Sequence, residues 1–135
     1  MFSEILLDHF QNPRHAGELE EATARIEVSN PICGDVLQLA AKVEAGRVRE
    51  VRFLCRGCTT AIACASLLTE KMQGAELGVV RGITAERLAE ALGGLPAATF
   101  HGAQLAEDGT RVLLSAIAKV DSEPAKTQRI RNDNV

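Results

Sequence analysis

Apolar and polar residues alternate along three stretches in the first half of the chain. The alternation predicts β-strands over residues 23–29, 35–44 and 47–55, because successive side chains of a strand point to opposite faces. Residues 44–47 (EAGR) fit a hairpin turn between the last two strands. We therefore expect an antiparallel meander with one face turned to water.

Elsewhere the apolar residues recur at helical spacing. The pattern predicts helices over residues 3–11, 60–73, 84–92 and 103–120. The first of them, capped by Ser3, is expected to present one apolar face formed by Phe2, Ile5, Leu6 and Phe10. Because the helices follow the strands instead of alternating with them, the fold class is α+β, with helices packed against one face of a three-stranded antiparallel sheet.

Length and composition narrow the organisation and the partners. The chain has 135 residues, which suits one domain; we assign that domain to residues 1–120 and expect a polar, flexible tail over residues 121–135. A net charge of −3 argues against a nucleic-acid partner. We find no apolar run long enough to span a membrane and no signal-peptide pattern, so we expect a cytoplasmic location.

The chain has four cysteines, which in a reducing compartment favour metal ligands, reactive thiols or core positions over disulfides. Cys33 and Asp35 lie two residues apart in an extended segment, so their side chains are expected to face the same point. Alternatively, Cys33 belongs to a turn and Asp35 merely starts a strand. Cys58 lies at a strand-to-helix turn, where the helix dipole favours a thiolate; alternatively it is a small capping residue.

The other cysteines and the histidines have different settings. Cys55 shares its strand face with apolar residues and Cys64 lies on an apolar helix stripe, so both are expected in the core. Alternatively, Cys64 approaches the site from the helix, and Cys64 or Cys55 supplements the ligand set. His9 and His15 are expected at the surface or in local packing. His101 precedes a helix and is either a ligand or a surface residue. The candidate metal ligands are therefore Cys33, Asp35, Cys58 and His101.

Four segments of the chain, read in order, form a set of motifs. They are residues 7–17 (LDHFQNPRHAG), 30–35 (NPICGD), 57–63 (GCTTAIA) and 100–107 (FHGAQLAE). Together they resemble the IscU/NifU family of iron–sulfur cluster assembly scaffolds, over residues 4 to about 120. The resemblance implies a scaffold and not an enzyme. Such a scaffold takes sulfur from a cysteine desulfurase, binds iron, builds a [2Fe–2S] cluster and hands it to apo-proteins.

The same resemblance implies roles for individual residues. Cys33, Cys58 and His101 would be cluster ligands. Asp35 would be the weak ligand that keeps the cluster transferable, because a carboxylate is a harder ligand than a thiolate. Gly102 stands where the family has its third cysteine, and a cysteine introduced there is expected to tighten cluster binding. A homo-oligomer is a further expectation, since a cluster that bridges two chains would supply the missing thiol.

Other functions stay open at this point. Residues 95–99 (LPAAT) are a reduced form of the family's chaperone-recognition segment, so the resemblance does not extend to a chaperone partner. The four candidate ligands also suit a zinc ion, in a protein that relays sulfur or has only a structural metal. Alternatively, the site is degenerate and the chain is an interaction module that docks on a desulfurase and regulates it. A redox enzyme built on the C-x-x-C pair of Cys55 and Cys58 is more distant.

Overall fold

The computed structural model describes residues 2–121. Its helices and strands are α1 (Glu4–Gln11), β1 (Ala24–Asn30), β2 (Asp35–Glu44), β3 (Arg47–Arg56), α2 (Thr59–Met72), α3 (Leu77–Arg81), α4 (Ala85–Ala91) and α5 (His101–Asp121). The three predicted strands and the four predicted helices are all present, with small shifts at their ends. Helix α3 has no counterpart among them, because five residues are too few for helical periodicity to show. Apart from Asp121, the predicted tail lies outside the described residues.

The sheet has the strand order β1-β2-β3, and both neighbouring pairs are antiparallel. A short turn joins β1 to β2, and Asn30 and Asp35 form the last pair of their ladder. A bulge towards the far end of the β2–β3 pair shifts the register there. As a result Val48 and Val51 are both buried although they lie three residues apart.

Helices α2 and α5 cover the sheet, as predicted. Helix α5 packs on β1 and β2, and α2 packs on β3 and on α5. The buried sheet residues include Leu37, Leu39, Ala41, Val51 and Phe53. Each fully buried large aliphatic side chain contributes about 1.5–3 kcal/mol, so this layer is the main source of stability. Within residues 2–121, we find no helix that is both long and apolar enough to cross a membrane.

Helix α1 docks on α2 through only part of the predicted face. Leu6 is buried and Phe2 packs against the core, as predicted, whereas Ile5 and Phe10 are exposed and His9 is buried instead. Of the two alternatives for His9, a surface position or local packing, the structure shows local packing. Its Nδ1 lies 2.8 Å from the Ser66 hydroxyl of α2, and this polar partner is what makes burial of an imidazole acceptable.

The buried His9 ring also lies among charges. Its Nε2 is 3.6 Å from the Glu70 carboxylate, which itself lies 3.7 Å from the Arg14 guanidinium. Burial, with a smaller contribution from Arg14, lowers the pKa of His9 below its usual 6.5, against the opposite pull of Glu70 and Asp8. The fold therefore holds the ring in its neutral form.

This pKa shift predicts that acid weakens the docking of α1. Below pH 6.5 His9 takes up a proton in the unfolded chain, whereas in the folded chain it does so only as the pH approaches its lower folded pKa. The contribution of neutral His9 to the free energy of unfolding is therefore complete above pH 6.5 and is lost as the pH falls towards the folded pKa. Urea unfolding at about pH 7.5 and about pH 5 should show the stability difference between the wild type and His9→Gln shrinking at the lower pH. A difference that is constant with pH would contradict this account of His9.

Candidate metal centre

Three elements of the fold begin at one place, and each brings one candidate ligand. Asp35 is the first residue of β2, Cys58 is the N-cap of α2, and His101 is the first residue of α5. The predicted convergence of these three residues is therefore present in the structure. The packing of α2 and α5 on the sheet brings the three residues together.

The three side chains form a compact donor group, with all ligand atoms within 4.8 Å of one another. His101 Nε2 is 3.5 Å from Asp35 Oδ2 and 3.8 Å from Cys58 Sγ, and this sulfur is 3.9 Å from Asp35 Oδ2. Tetrahedral coordination with bonds of 2.0–2.3 Å sets N, O and S ligand atoms about 3.3–3.8 Å apart. The observed distances exceed these values by only a few tenths of an ångström, so the donor set fits a metal ion.

Cys58 is both a candidate ligand and a helix cap. Its Sγ accepts a hydrogen bond of 3.4 Å from the N–H of Ala61, in the first turn of α2. The two interpretations that the sequence left open are thus compatible, since the same sulfur satisfies a free helix N–H and faces the donor group.

Nearby, Thr60 Oγ1 is buried without a hydrogen-bond partner, the only such side-chain atom found among residues 2–121.

Asp35 is buried, with 5% of its surface exposed. It reaches this position because Gly57 leaves space for it: a Cβ on Gly57 would lie 2.9 Å from Asp35 Cγ and 3.0 Å from Oδ1. The Asp35 carboxylate therefore occupies the space that a side chain at Gly57 would fill. Motif reasoning assigned no role to this glycine beyond the turn.

Cys33 does not share a strand face with Asp35, and that expectation is wrong. It lies in the turn before β2, it is exposed, and it is outside the compact donor group. The side chain of Asn30 accepts hydrogen bonds from the N–H groups of Ile32 and Cys33 and so folds the turn, and Gly34 takes a positive φ of 75°. The alternative that Cys33 is a turn cysteine is correct.

The other two cysteines lie outside the compact donor group. Cys64 is fully buried in the core, as predicted, and Cys55 is half-buried against it. Burial raises the pKa of each thiol to about 12, with smaller contributions from Cys58 and, for Cys55, from Asp35. Both thiols are therefore protonated near neutral pH.

Comparison with known proteins identifies the family. Residues 1–126 match the family model of the NifU-like N terminal domain. The chain belongs to this family. Over 111 residues it is 41% identical to the iron-sulfur cluster assembly scaffold protein IscU 1 of Archaeoglobus fulgidus, covering 82% of this chain and 72% of that protein. Over 118 residues it is 36% identical to the IscU scaffold protein of Escherichia coli, covering 84% and 91%.

A solved structure has the same fold. The N-terminal NifU-like protein of Brucella abortus superposes with a TM-score of 0.71 at 18% identity, covering 87% of this chain and 94% of that one. Both the α+β fold class and the resemblance to the IscU/NifU family are thereby confirmed. The roles of individual ligands stay predictions.

Because the Asp35 carboxylate occupies the space beside Gly57, the effects of substitutions at these two residues on stability should be coupled. Gly57→Ala should destabilise the fold by about 1–3 kcal/mol, because the new methyl group displaces a buried carboxylate. In the Asp35→Ala background the same substitution should cost much less, which a double-mutant cycle of urea unfolding measures. Gly78→Ala is the control, since a Cβ at Gly78 meets no atom within 4 Å. Equal costs in both backgrounds would contradict the assignment.

Proposed function

We propose that the chain is a scaffold on which iron–sulfur clusters are assembled and from which they are transferred. The observation that carries the proposal is the thiol, carboxylate and imidazole group of Cys58, Asp35 and His101 in a member of this family. The cluster is the cargo of such a protein, so the chain acts as a carrier and not as an enzyme. The proposed cluster is of the [2Fe–2S] type.

The proposed ligands are Cys33, Asp35, Cys58 and His101. Three of them already lie at ligand distance, and Cys33 is two residues from Asp35. Two Cα–Cα steps of about 3.8 Å place the Cys33 backbone at most about 7.6 Å from that of Asp35, so a rearrangement confined to the exposed turn brings its sulfur to the group. A binuclear cluster then has two thiolates, one imidazole and one carboxylate.

The electrostatic setting suits an anionic cargo. The N-termini of α2 and α5 both point towards the donor group, and helix N-termini favour negative charge. Thiolates bind iron firmly, whereas the carboxylate of Asp35 is the hard ligand that exchanges most easily. This combination supports assembly followed by release. The partners that this function requires are a cysteine desulfurase as sulfur donor and apo-proteins as recipients, in the cytoplasm.

A zinc-bound form is the second candidate. The distances within the donor group match tetrahedral coordination, which is the geometry that zinc prefers. In that case the chain relays sulfur or regulates the desulfurase and carries no cluster. The two candidates share their ligands and differ in the presence of sulfide.

Anaerobic reconstitution separates these candidates. With iron, cysteine and a desulfurase, the chain should acquire iron and acid-labile sulfide in similar amounts, with a charge-transfer band in its absorption spectrum. Cys58→Ala should lose most of the bound iron, because Cys58 is the thiol of the preformed group. Cys64→Ala is the matched control, since its thiol lies in the core. Zinc without sulfide would contradict the scaffold function, and full iron content in Cys58→Ala would contradict the ligand assignment.

Asp35→Ala should slow the loss of the cluster. The physical reason is that the substitution removes the ligand at which iron exchanges most readily. The rate of transfer to an apo-ferredoxin, followed by absorption or circular dichroism, is the measurement. Unchanged transfer rates would count against Asp35 as the labile ligand.

A further inference from the structure

Cys55 lies near the end of β3, on the face of the sheet that turns inward. It has the same strand parity as the buried residues Val51 and Phe53, and its partner in β2 is the buried Leu37. Unlike those three residues, Cys55 is only half-buried. The inward series of β3 therefore ends in a thiol that the core does not fully enclose.

The strand register places Cys55 beside Asp35. Cys55 pairs with Leu37, which lies two residues along β2 from Asp35. The same register, extended by two residues, sets Asp35 opposite Gly57, and the 2.9 Å between Asp35 Cγ and a Cβ on Gly57 agrees with it. Cys55 and Asp35 are thus diagonal neighbours on one face, about 7–8 Å apart at Cα and closer at Cβ. A metal ion with bonds of about 2.0–2.3 Å to oxygen and sulfur bridges two side chains at this separation.

The charges around Cys55 also indicate that the donor group is close. After burial, the groups that raise the pKa of its thiol are Asp35 and Cys58, and anions have this effect over short distances. Cys55 lies outside the compact donor group, so its side chain has to turn about the Cα–Cβ bond to join that group. A divalent cation offsets the repulsion among these groups and takes the place of the thiol proton, which leaves to water.

We propose that Cys55 is the fourth protein ligand of a single metal ion in the compact donor group. Three protein donors leave a tetrahedral ion one open position, and Cys55 closes it from β3. The inference rests on the proposed function, because the ion is the iron or zinc which that function requires. The exposed turn with Cys33 is then left for the second iron of a cluster.

Cys64 is the matched control for Cys55. Burial raises the pKa of both thiols to about 12, so the two resist ionisation to a similar extent. Cys64, however, is fully buried in the core, six residues and thus about 9 Å along the axis of α2 from Cys58. A difference between Cys55→Ala and Cys64→Ala therefore reports the position beside the donor group and not the acidity of the thiol.

The first readout is the binding of Co²⁺ to the full chain, followed by its absorption spectrum. Cys33→Ser serves as the background, because the thiol of the turn would compete for the same position. In this background we expect one Co²⁺ per chain with charge-transfer absorption from two thiolates. Adding Cys55→Ala should about halve this absorption and weaken binding at least about 10-fold, since removal of groups that only orient metal ligands already has such an effect. Adding Cys64→Ala should change neither quantity. Equal absorption with and without Cys55 would overturn the proposal.

The second readout counts sulfur neighbours by X-ray absorption and needs no substitution of Cys55, so it decides the matter even if Cys55→Ala fails to fold. The chain has four cysteines, and Cys33→Ser combined with Cys64→Ala leaves only Cys55 and Cys58. With one zinc per chain, this variant should show two sulfur neighbours. One sulfur neighbour would overturn the proposal and leave the proposed metal function intact. If the unsubstituted chain binds neither Co²⁺ nor Zn²⁺, the proposed metal function fails and the ligand role of Cys55 fails with it.

Discussion

The meeting of two helix N-termini beside one buried carboxylate is the constraint on which the site depends. The starts of α2 and α5 bring two positive dipole ends together, an arrangement that is unfavourable unless negative charge lies between them. Asp35 supplies a carboxyl group there, within 4 Å of both Cys58 and His101. Burying a carboxylate is in turn unfavourable unless it has charged or polar partners. The two helix N-termini and the aspartate therefore stabilise one another.

The sheet explains why the carboxylate arrives at this point. Asp35 has the same strand parity as Leu37, Leu39 and Ala41, so the alternation that builds the core also turns its carboxyl group inward. Asp35 is the first residue of this series, at the start of β2, near the N-termini of α2 and α5. The core residues of β2 and the candidate ligand Asp35 thus belong to one alternating pattern, in which Asp35 is the polar residue at the start of the strand.

The elements were predictable from the sequence, whereas several local geometries were not. Alternation and helical periodicity located β1 to β3, α2 and α5, and the turn chemistry located Cys58 at a helix start. The shared face of Cys33 and Asp35 was predicted wrongly, because strand parity does not hold across a turn that contains a residue at positive φ. The close approach of Gly102 in α5 to the backbone of Ala61 in α2 escaped prediction for a different reason. It joins residues about 40 positions apart in the chain, so only the packed fold shows it.

For the proposed scaffold, this geometry divides the ligands into a preformed part and an exposed part. Asp35, Cys58 and His101 lie at the starts of β2, α2 and α5, whose positions the core fixes. Cys33 does not belong to this preformed group. It lies in the exposed turn before β2, next to Ile32, which is 92% exposed. A preformed group lowers the entropy lost when iron binds, because its side chains are already ordered. An exposed ligand gives donor and recipient proteins access from one side.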